Sequence, residues 1–171
     1  MVSLPTAAQT GDHIKAFYAA HAQLIVAQQL LGVVTLLPFV VFGLALDAGH
    51  RGWLMRAVVL LVIAELLTNI IPVTLLLTNA SADSAHGLTV AEELADAALF
   101  LTIAIFTLVA TSSEPGWVRA LGWVVAGLSV FRAVLSPLGV AGLDALAPLA
   151  FLIIVVILSV RLMRGSYAAS G

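Results

Sequence analysis

The sequence contains no cysteine, and charged residues make up only 9% of its 171 residues. Without cysteine, disulfides, thiolate metal sites and cysteine nucleophiles are all excluded. Soluble domains are usually about 45–50% apolar and about 25% charged, whereas 62% of this chain is hydrophobic. A formal net charge of −2, with seven Lys and Arg in total, excludes nucleic acid and a polybasic lipid-binding tail. The composition therefore predicts an integral membrane protein, and the length suits one helical bundle.

Five apolar stretches, each long enough to cross a bilayer, are separated by short runs rich in Gly, Pro, Ser, Asn and Asp. They cover approximately residues 20–46, 53–78, 89–111, 117–137 and 145–164. The sequence thus predicts an all-α fold, in which residues 1–171 form a single integral membrane bundle of five transmembrane helices. Residues 1–11 are predicted to be a frayed tail. Asp12 is predicted to cap a helix that runs into the first span.

Positive charge is distributed unevenly between the two ends of the predicted spans. One side carries Arg51, Arg56, Arg119, Arg161 and Arg164. The other side carries only Lys15. Because short cytoplasmic loops are enriched in Lys and Arg, we expect the N-terminus to lie outside and the C-terminus in the cytoplasm. The predicted location is the cell membrane, as a multi-pass protein.

Polar side chains interrupt four of the five spans at a similar depth, calculated from a rise of 1.5 Å per residue. This predicted polar cluster, in the outer half of the bilayer, contains Gln28, Glu65, Thr68, Asn69, Glu92, Asp96, Ser129 and Arg132. The i, i+4 spacings of Glu65 with Asn69, and of Glu92 with Asp96, place each pair on one helix face. Ionisable groups that face lipid are costly. We therefore expect these faces to meet inside the bundle.

The predicted polar cluster holds more carboxylates than its single guanidinium can neutralise. Arg132 could form a structural ion pair with Glu65 or with Asp96, as intramembrane charges usually do. A further acid in apolar surroundings keeps its proton near neutral pH and can donate it. On this basis we predict two catalytic residues, Glu65 and Asp96. The predicted substrate-binding residues are Asn69, Arg132, Gln28, Glu92, Thr68 and Ser129.

We expect neither a metal nor another cofactor. The four histidines lie in the tail, at the start of a span and in loops, and no two of them have a helical ligand spacing such as i, i+4. Arg132 argues against a divalent cation among the acids. The single lysine, Lys15, is not deep in a span, which excludes a retinal-type Schiff base.

The segment Glu114-Pro-Gly-Trp-Val-Arg-Ala-Leu-Gly-Trp-Val-Val-Ala-Gly127 resembles small, uncharacterised bacterial multi-pass membrane proteins. Many of these place a Trp/Arg-Leu-Gly-Trp run before a Gly-rich span, and the resemblance implies no activity. At the level of chemistry, the predicted polar cluster is similar to the carboxylate-lined cavities of integral-membrane terpene cyclases. Those enzymes use acids on transmembrane helices to protonate an epoxide or an alkene. Five spans are fewer than that group usually has.

These observations favour an enzyme that isomerises or cyclises a hydrophobic small molecule, or opens an epoxide in it. One alternative is a small proton-coupled carrier or channel, which would need a polar route through the largely apolar cytoplasmic half. The other is a non-catalytic subunit or scaffold of a membrane complex. The expected partners are membrane lipid and a hydrophobic small-molecule ligand, and the alternatives add a homo-oligomer or a membrane-complex partner.

Overall fold

The computed structural model describes residues 4–47, 52–78, 80–135 and 145–168, with the side chains of residues 165–168 left out. Its helices are α1 (Gly11–Leu46), α2 (Trp53–Leu77), α3 (Ala82–Thr111), α4 (Gly116–Leu135) and α5 (Leu146–Ala168). All five are long and apolar enough to cross a membrane, and these ranges contain no strand. The predicted all-α fold with five membrane-length helices is confirmed. Arg51, and Ser136 and Pro137 at the predicted end of span four, lie outside the described residues.

Helix α1 changes direction at His21, whose backbone angles (φ −119°, ψ 16°) are not helical. The His21 ring stacks on Phe17 at a centroid distance of 4.4 Å, and its Nδ1 lies 2.9 Å from the carbonyl oxygen of Phe17. The part of α1 after His21 corresponds to the first predicted span. The predicted cap is wrong by two residues, because the Thr10 hydroxyl, rather than Asp12, accepts the backbone N–H of His13.

Residues 4–10 are folded onto the bundle, so the prediction of a frayed tail is wrong for this segment. Pro5 is buried, and Leu4 packs against a buried apolar cluster that includes Ile14. The backbone N–H of Ala7 donates a hydrogen bond of 2.7 Å to Oε1 of Glu93. We call the end of the bundle that carries this segment the N-terminal face.

Helix α3 begins at Ala82 rather than near residue 89, so much of the predicted loop before it is helical. The Ser81 hydroxyl caps this start by accepting the backbone N–H of Ser84 over 3.2 Å. Ala85, in the added turns, is fully buried in the same apolar cluster as Ile14. Packing against the first turns of α1 therefore stabilises turns that a loop-like local sequence does not predict.

The helices surround α3, which packs along α2 on one side and along α4 on the other. Helix α1 covers α2 and α3, whereas α5 packs mainly on α4 and contacts α1 and α3 only sparsely. A group of phenylalanines with ring centroids 5.1–6.5 Å apart joins α1, α3 and α5. Its members are Phe39, Phe42, Phe106 and Phe151. Outward-facing apolar side chains such as Leu37 and Leu77 are consistent with contact to membrane lipid.

An ion pair ties α5 to the turn between α3 and α4. Nε of Arg161 lies 2.5 Å from Oε2 of Glu114. This contact lies at the end of the bundle opposite the N-terminal face. It fixes the later turns of α5, and no local sequence pattern indicates that these two residues pair.

Candidate functional site

A pocket of about 330 Å³ opens between α1, α2 and α3, between the middle of the bundle and its N-terminal face. Its lining residues are Leu4, Gln28, Gln29, Leu31, Gly32, Thr35, Glu65, Thr68, Asn69 and Glu92. We call this space the polar pocket, because residues with amide, hydroxyl and carboxyl side chains are among those that line it. Five residues of the predicted polar cluster, from three different helices, therefore line one space.

A larger cavity of about 590 Å³ lies next to the polar pocket, on the side away from the N-terminal face. Its lining residues are Thr35, Leu36, Pro38, Phe39, Phe42, Leu61, Glu65, Leu99, Phe100, Ile103, Pro148, Phe151, Leu152, Val155 and Ser159. We call it the apolar cavity, and among these lining residues Glu65 is the only ionisable one. Thr35 and Glu65 line both spaces. The Glu65 side chain therefore lies where the polar pocket meets the apolar cavity.

The orientation of Glu65 is set by its neighbours on α2. Nδ2 of Asn69 lies 3.0 Å from Oε1 of Glu65 and 2.6 Å from the Glu65 carbonyl oxygen, and it donates to both. The Thr68 hydroxyl donates to the same carbonyl oxygen over 2.8 Å. These contacts follow from the i+3 and i+4 spacing on a helix. The predicted face shared by Glu65 and Asn69 is thus present in the structure.

A glycine on α1 makes room for this arrangement. A Cβ atom at Gly32 would come within 2.5 Å of Oδ1 of Asn69, so only glycine allows the two helices to approach so closely here. Asn69 is 5% exposed. Its side chain is therefore held between α1 and the Glu65 carboxyl.

Asp96 and Arg132 form the ion pair of the site, with Oδ2 and Nη2 2.9 Å apart and both side chains mostly buried. The guanidinium carbon lies 4.2 Å from the centroid of the Phe100 ring, close enough for a cation–π contact. Of the two pairings considered from the sequence, Arg132 thus adopts the one with Asp96. Neither residue lines the polar pocket or the apolar cavity, and Phe100 separates the pair from the cavity.

The remaining acids of the site differ in their contacts. Glu92 lines the polar pocket, whereas Glu93 accepts the N–H of Ala7. The charge of Asp96 is close enough to interact with both Glu65 and Glu92, and the guanidinium of Arg132 is close enough to interact with Glu92. In the part of the chain that the structure describes, neither Glu65 nor Glu92 is ion-paired. The excess of acid over base expected from the sequence is therefore present around the polar pocket.

The structure places Ser129 away from the other predicted site residues. It is fully buried on α4, and its hydroxyl donates to the carbonyl oxygen of Val125 over 2.9 Å. Conversely, Leu4, Gln29 and Gly32 line the polar pocket but were not among the predicted site residues. Gln29 and Gly32 are on the α1 segment that carries Gln28, but Leu4 has no periodic pattern that could have indicated its position.

Within the described ranges, no group of three or more His, Asp or Glu is arranged to hold a metal ion. Comparison with protein-family models, with curated proteins and with solved structures gives no significant match to this chain. The geometry around Glu65 is therefore the basis for inferring a function.

Proposed function

We propose that this chain is a membrane-embedded enzyme in which Glu65 is the general acid for isomerisation, cyclisation or epoxide opening of a hydrophobic small molecule. One observation carries the proposal. The Glu65 side chain lies at the junction of the polar pocket and the apolar cavity, where the neutral amide of Asn69 contacts its carboxyl group. A carboxylic acid without a cationic partner in such surroundings keeps its proton and can transfer it to a bound substrate.

The proposed reaction needs no co-reactant. Glu65 transfers its proton to an alkene carbon, whose π electrons form the new C–H bond, or to an epoxide oxygen, whose C–O bond then breaks with its electron pair on oxygen. Each route leaves a carbocation, which another C=C bond of the same molecule can attack to close a ring. Loss of a proton from a neighbouring carbon to the Glu65 carboxylate forms a new C=C bond and regenerates the acid. Substrate and product then have the same mass.

The walls of the two spaces supply the other functions that this reaction needs. Phe39, Phe42 and Phe151 line the apolar cavity, and their ring faces stabilise a carbocation that forms beside them. Gln28 and Glu92, in the polar pocket, hold the polar end of the substrate. Asp96 was predicted as a second catalytic residue, but it is paired with Arg132 behind Phe100. The proposal therefore assigns proton transfer to Glu65 alone.

The test compares lipid extracts of cells that produce the wild type, Glu65→Gln or Glu93→Gln, using mass spectrometry. We expect the wild type to generate a compound isomeric with its precursor, or one water heavier if water traps the carbocation. Glu65→Gln should lower this turnover by about 100-fold or more, the usual contribution of a general acid, while unfolding at the wild-type temperature. Glu93→Gln is the matched control outside the polar pocket, and it should retain turnover because its side-chain oxygen can still accept the N–H of Ala7.

Two outcomes would overturn the enzyme proposal. Full turnover in a folded Glu65→Gln variant would remove Glu65 from the mechanism and favour a non-catalytic subunit or scaffold. Proton flux in proteoliposomes that depends on Glu65, without any product specific to the wild type, would favour the carrier.

We also propose that the N-terminal face is extracellular and that the C-terminus is cytoplasmic, in a cell membrane. Four arginines at the starts of α2 and α4 and near the end of α5 support this orientation, and Lys15 is at the opposite end. Because the chain has no cysteine, single cysteines can report it directly. A membrane-impermeant maleimide should label His86→Cys in intact cells, and Ser112→Cys only after permeabilisation. The reverse labelling pattern would show that the chain has the opposite orientation in the membrane.

A further inference from the structure

The two neighbouring spaces differ in polarity. Gln28, Thr68 and Asn69 present amide and hydroxyl groups to the polar pocket, whereas aromatic and aliphatic side chains dominate the apolar cavity. Each volume is within the range of about 300–1,000 Å³ that is usual for small-molecule sites. A molecule with one polar end and a larger apolar body matches both spaces at once. A wholly polar solute would make no favourable contact with the apolar side chains of the apolar cavity.

The charged residues around the polar pocket determine which charge the polar end of a ligand can carry. None of the described residues that line either space is Lys, Arg or His, and the guanidinium of Arg132 is bound to Asp96. An anionic end would lie beside the acids Glu65 and Glu92, and the nearest guanidinium, that of Arg132, interacts with Glu92 but is engaged by Asp96. Burying an anion without a counter-charge of its own is unfavourable. Amide and hydroxyl groups can both donate to and accept from an uncharged oxygen. The pocket therefore favours an uncharged polar end over an anionic one, and a protonated Glu65, which the proposed function requires, offers no counter-charge to a cationic end.

The apolar cavity is lined by residues of both α1 and α5. Thr35 and Pro38 on α1, and Pro148 and Leu152 on α5, line the cavity and are also exposed on the outer surface of the bundle. These two helices contact each other only sparsely. At the N-terminal face, by contrast, Leu4 forms part of the wall of the polar pocket. The part of the apolar cavity wall formed by α1 and α5 thus faces the surroundings of the helices, which in a membrane are lipid.

We propose that the site binds an uncharged amphiphile, with a hydroxyl, carbonyl or epoxide oxygen in the polar pocket and its apolar body in the apolar cavity, and that this molecule enters from the bilayer between α1 and α5. This inference rests on the proposed function, since it specifies the substrate class for Glu65. It excludes fatty acids, phospholipids and prenyl diphosphates as substrates.

The test uses photoaffinity labelling of the full chain in phosphatidylcholine nanodiscs. Three probes share one long apolar tail that carries a diazirine, and they end in an alcohol, a carboxylate or a primary amine. We expect the alcohol to label peptides containing Phe39 or Phe151 at least about tenfold more than either charged probe, after normalisation to labelling of lipid-facing peptides. Equal or stronger labelling by the carboxylate or the amine would overturn the uncharged-end assignment.

A pair of neighbouring substitutions on α5 tests the route. Leu152 and Ile153 are 57% and 59% exposed, so a tryptophan at either position projects outward without overpacking the core. Only Leu152 lines the apolar cavity. Leu152→Trp should therefore lower alcohol labelling of the cavity severalfold, whereas Ile153→Trp should leave it unchanged. Equal effects of the two variants would contradict access between α1 and α5.

The Glu65→Gln variant separates this inference from the proposed function. Glutamine keeps the size and polarity of the side chain, so the alcohol probe should still label the apolar cavity after turnover has been lost. Selective alcohol labelling without any wild-type turnover would support the ligand class and refute the reaction. Turnover of a charged lipid would support the reaction and refute the ligand class.

Discussion

Oδ2 of Asp96 on α3 and Nη2 of Arg132 on α4 are 2.9 Å apart, and the same guanidinium lies over the ring of Phe100. This contact connects two helices and places the positive charge behind the wall of the apolar cavity. It also pairs Asp96, one acid of the predicted polar cluster, with a cation outside the polar pocket. Glu65 and Glu92 are left to face the polar pocket.

Breaking this ion pair should destabilise the protein more than removing it altogether. Asp96→Asn or Arg132→Gln alone leaves one charge partly buried, and we expect each to lower the free energy of unfolding by about 1–3 kcal/mol. The loss is below that of a fully buried pair, because part of each side chain is exposed. The double variant should lose less than the sum of the two single variants. Denaturant unfolding in detergent measures all four proteins, and strictly additive losses would mean that the pair is not coupled.

Gly32→Ala should disturb the crossing of α1 and α2. Its new Cβ would lie 2.5 Å from Oδ1 of Asn69, which is buried and bonded to Glu65. We expect a destabilisation of about 1–3 kcal/mol, typical of an overpacked site, together with reduced turnover. Gly127→Ala is the matched control, because nothing lies within 4 Å of a Cβ there. Its helix should gain about 0.5–1 kcal/mol, and equal unfolding temperatures for the two variants would refute the close approach.

Glu93→Ala should release the segment formed by residues 4–10. The variant removes the acceptor of the 2.7 Å hydrogen bond from the N–H of Ala7. A contribution of about 1 kcal/mol corresponds to roughly fivefold faster exchange of that amide, which hydrogen exchange with mass spectrometry can detect in peptides covering the segment. Glu92→Ala, one position earlier, removes a carboxyl that does not bond the segment in the described structure. Unchanged exchange in Glu93→Ala would show that apolar packing alone holds the segment in place.

Run length and helical spacing were sufficient to predict α2, α4 and α5 closely, because a long apolar run in a membrane has few alternatives to a helix. The start of α3 was not predictable in this way. Its first turns contain Ser84, His86 and Gly87, which suggest a loop, and they are helical because Ala85 packs against α1. The hydrogen bond between Ala7 and Glu93 joins residues far apart in the chain, so no local pattern could indicate it.

The site was predictable where local spacing or depth determines it. The contact between Glu65 and Asn69 follows from one helical turn, and depth placed Gln28 and Glu92 in the outer half of the bilayer, where they line one pocket with Glu65. Depth could not decide which acid would meet Arg132. The packing order decides it, because α4 packs along α3, which carries Asp96. The apolar cavity was not foreseen, since Phe39 and Phe151 look like ordinary lipid-facing residues in the sequence.

The ion pair between Arg161 and Glu114 gives α5 a fixed point in its later turns. A rocking motion of α5 would pivot there, and the displacement of each residue would grow with its distance from that hinge. Pro148, near the start of α5, would be displaced further than Leu152, which lies closer to Arg161. Such a motion would widen the gap between α1 and α5 while the end of the bundle near Arg161 stays packed. A ligand could then be exchanged with the bilayer without a water-filled channel along the bundle axis.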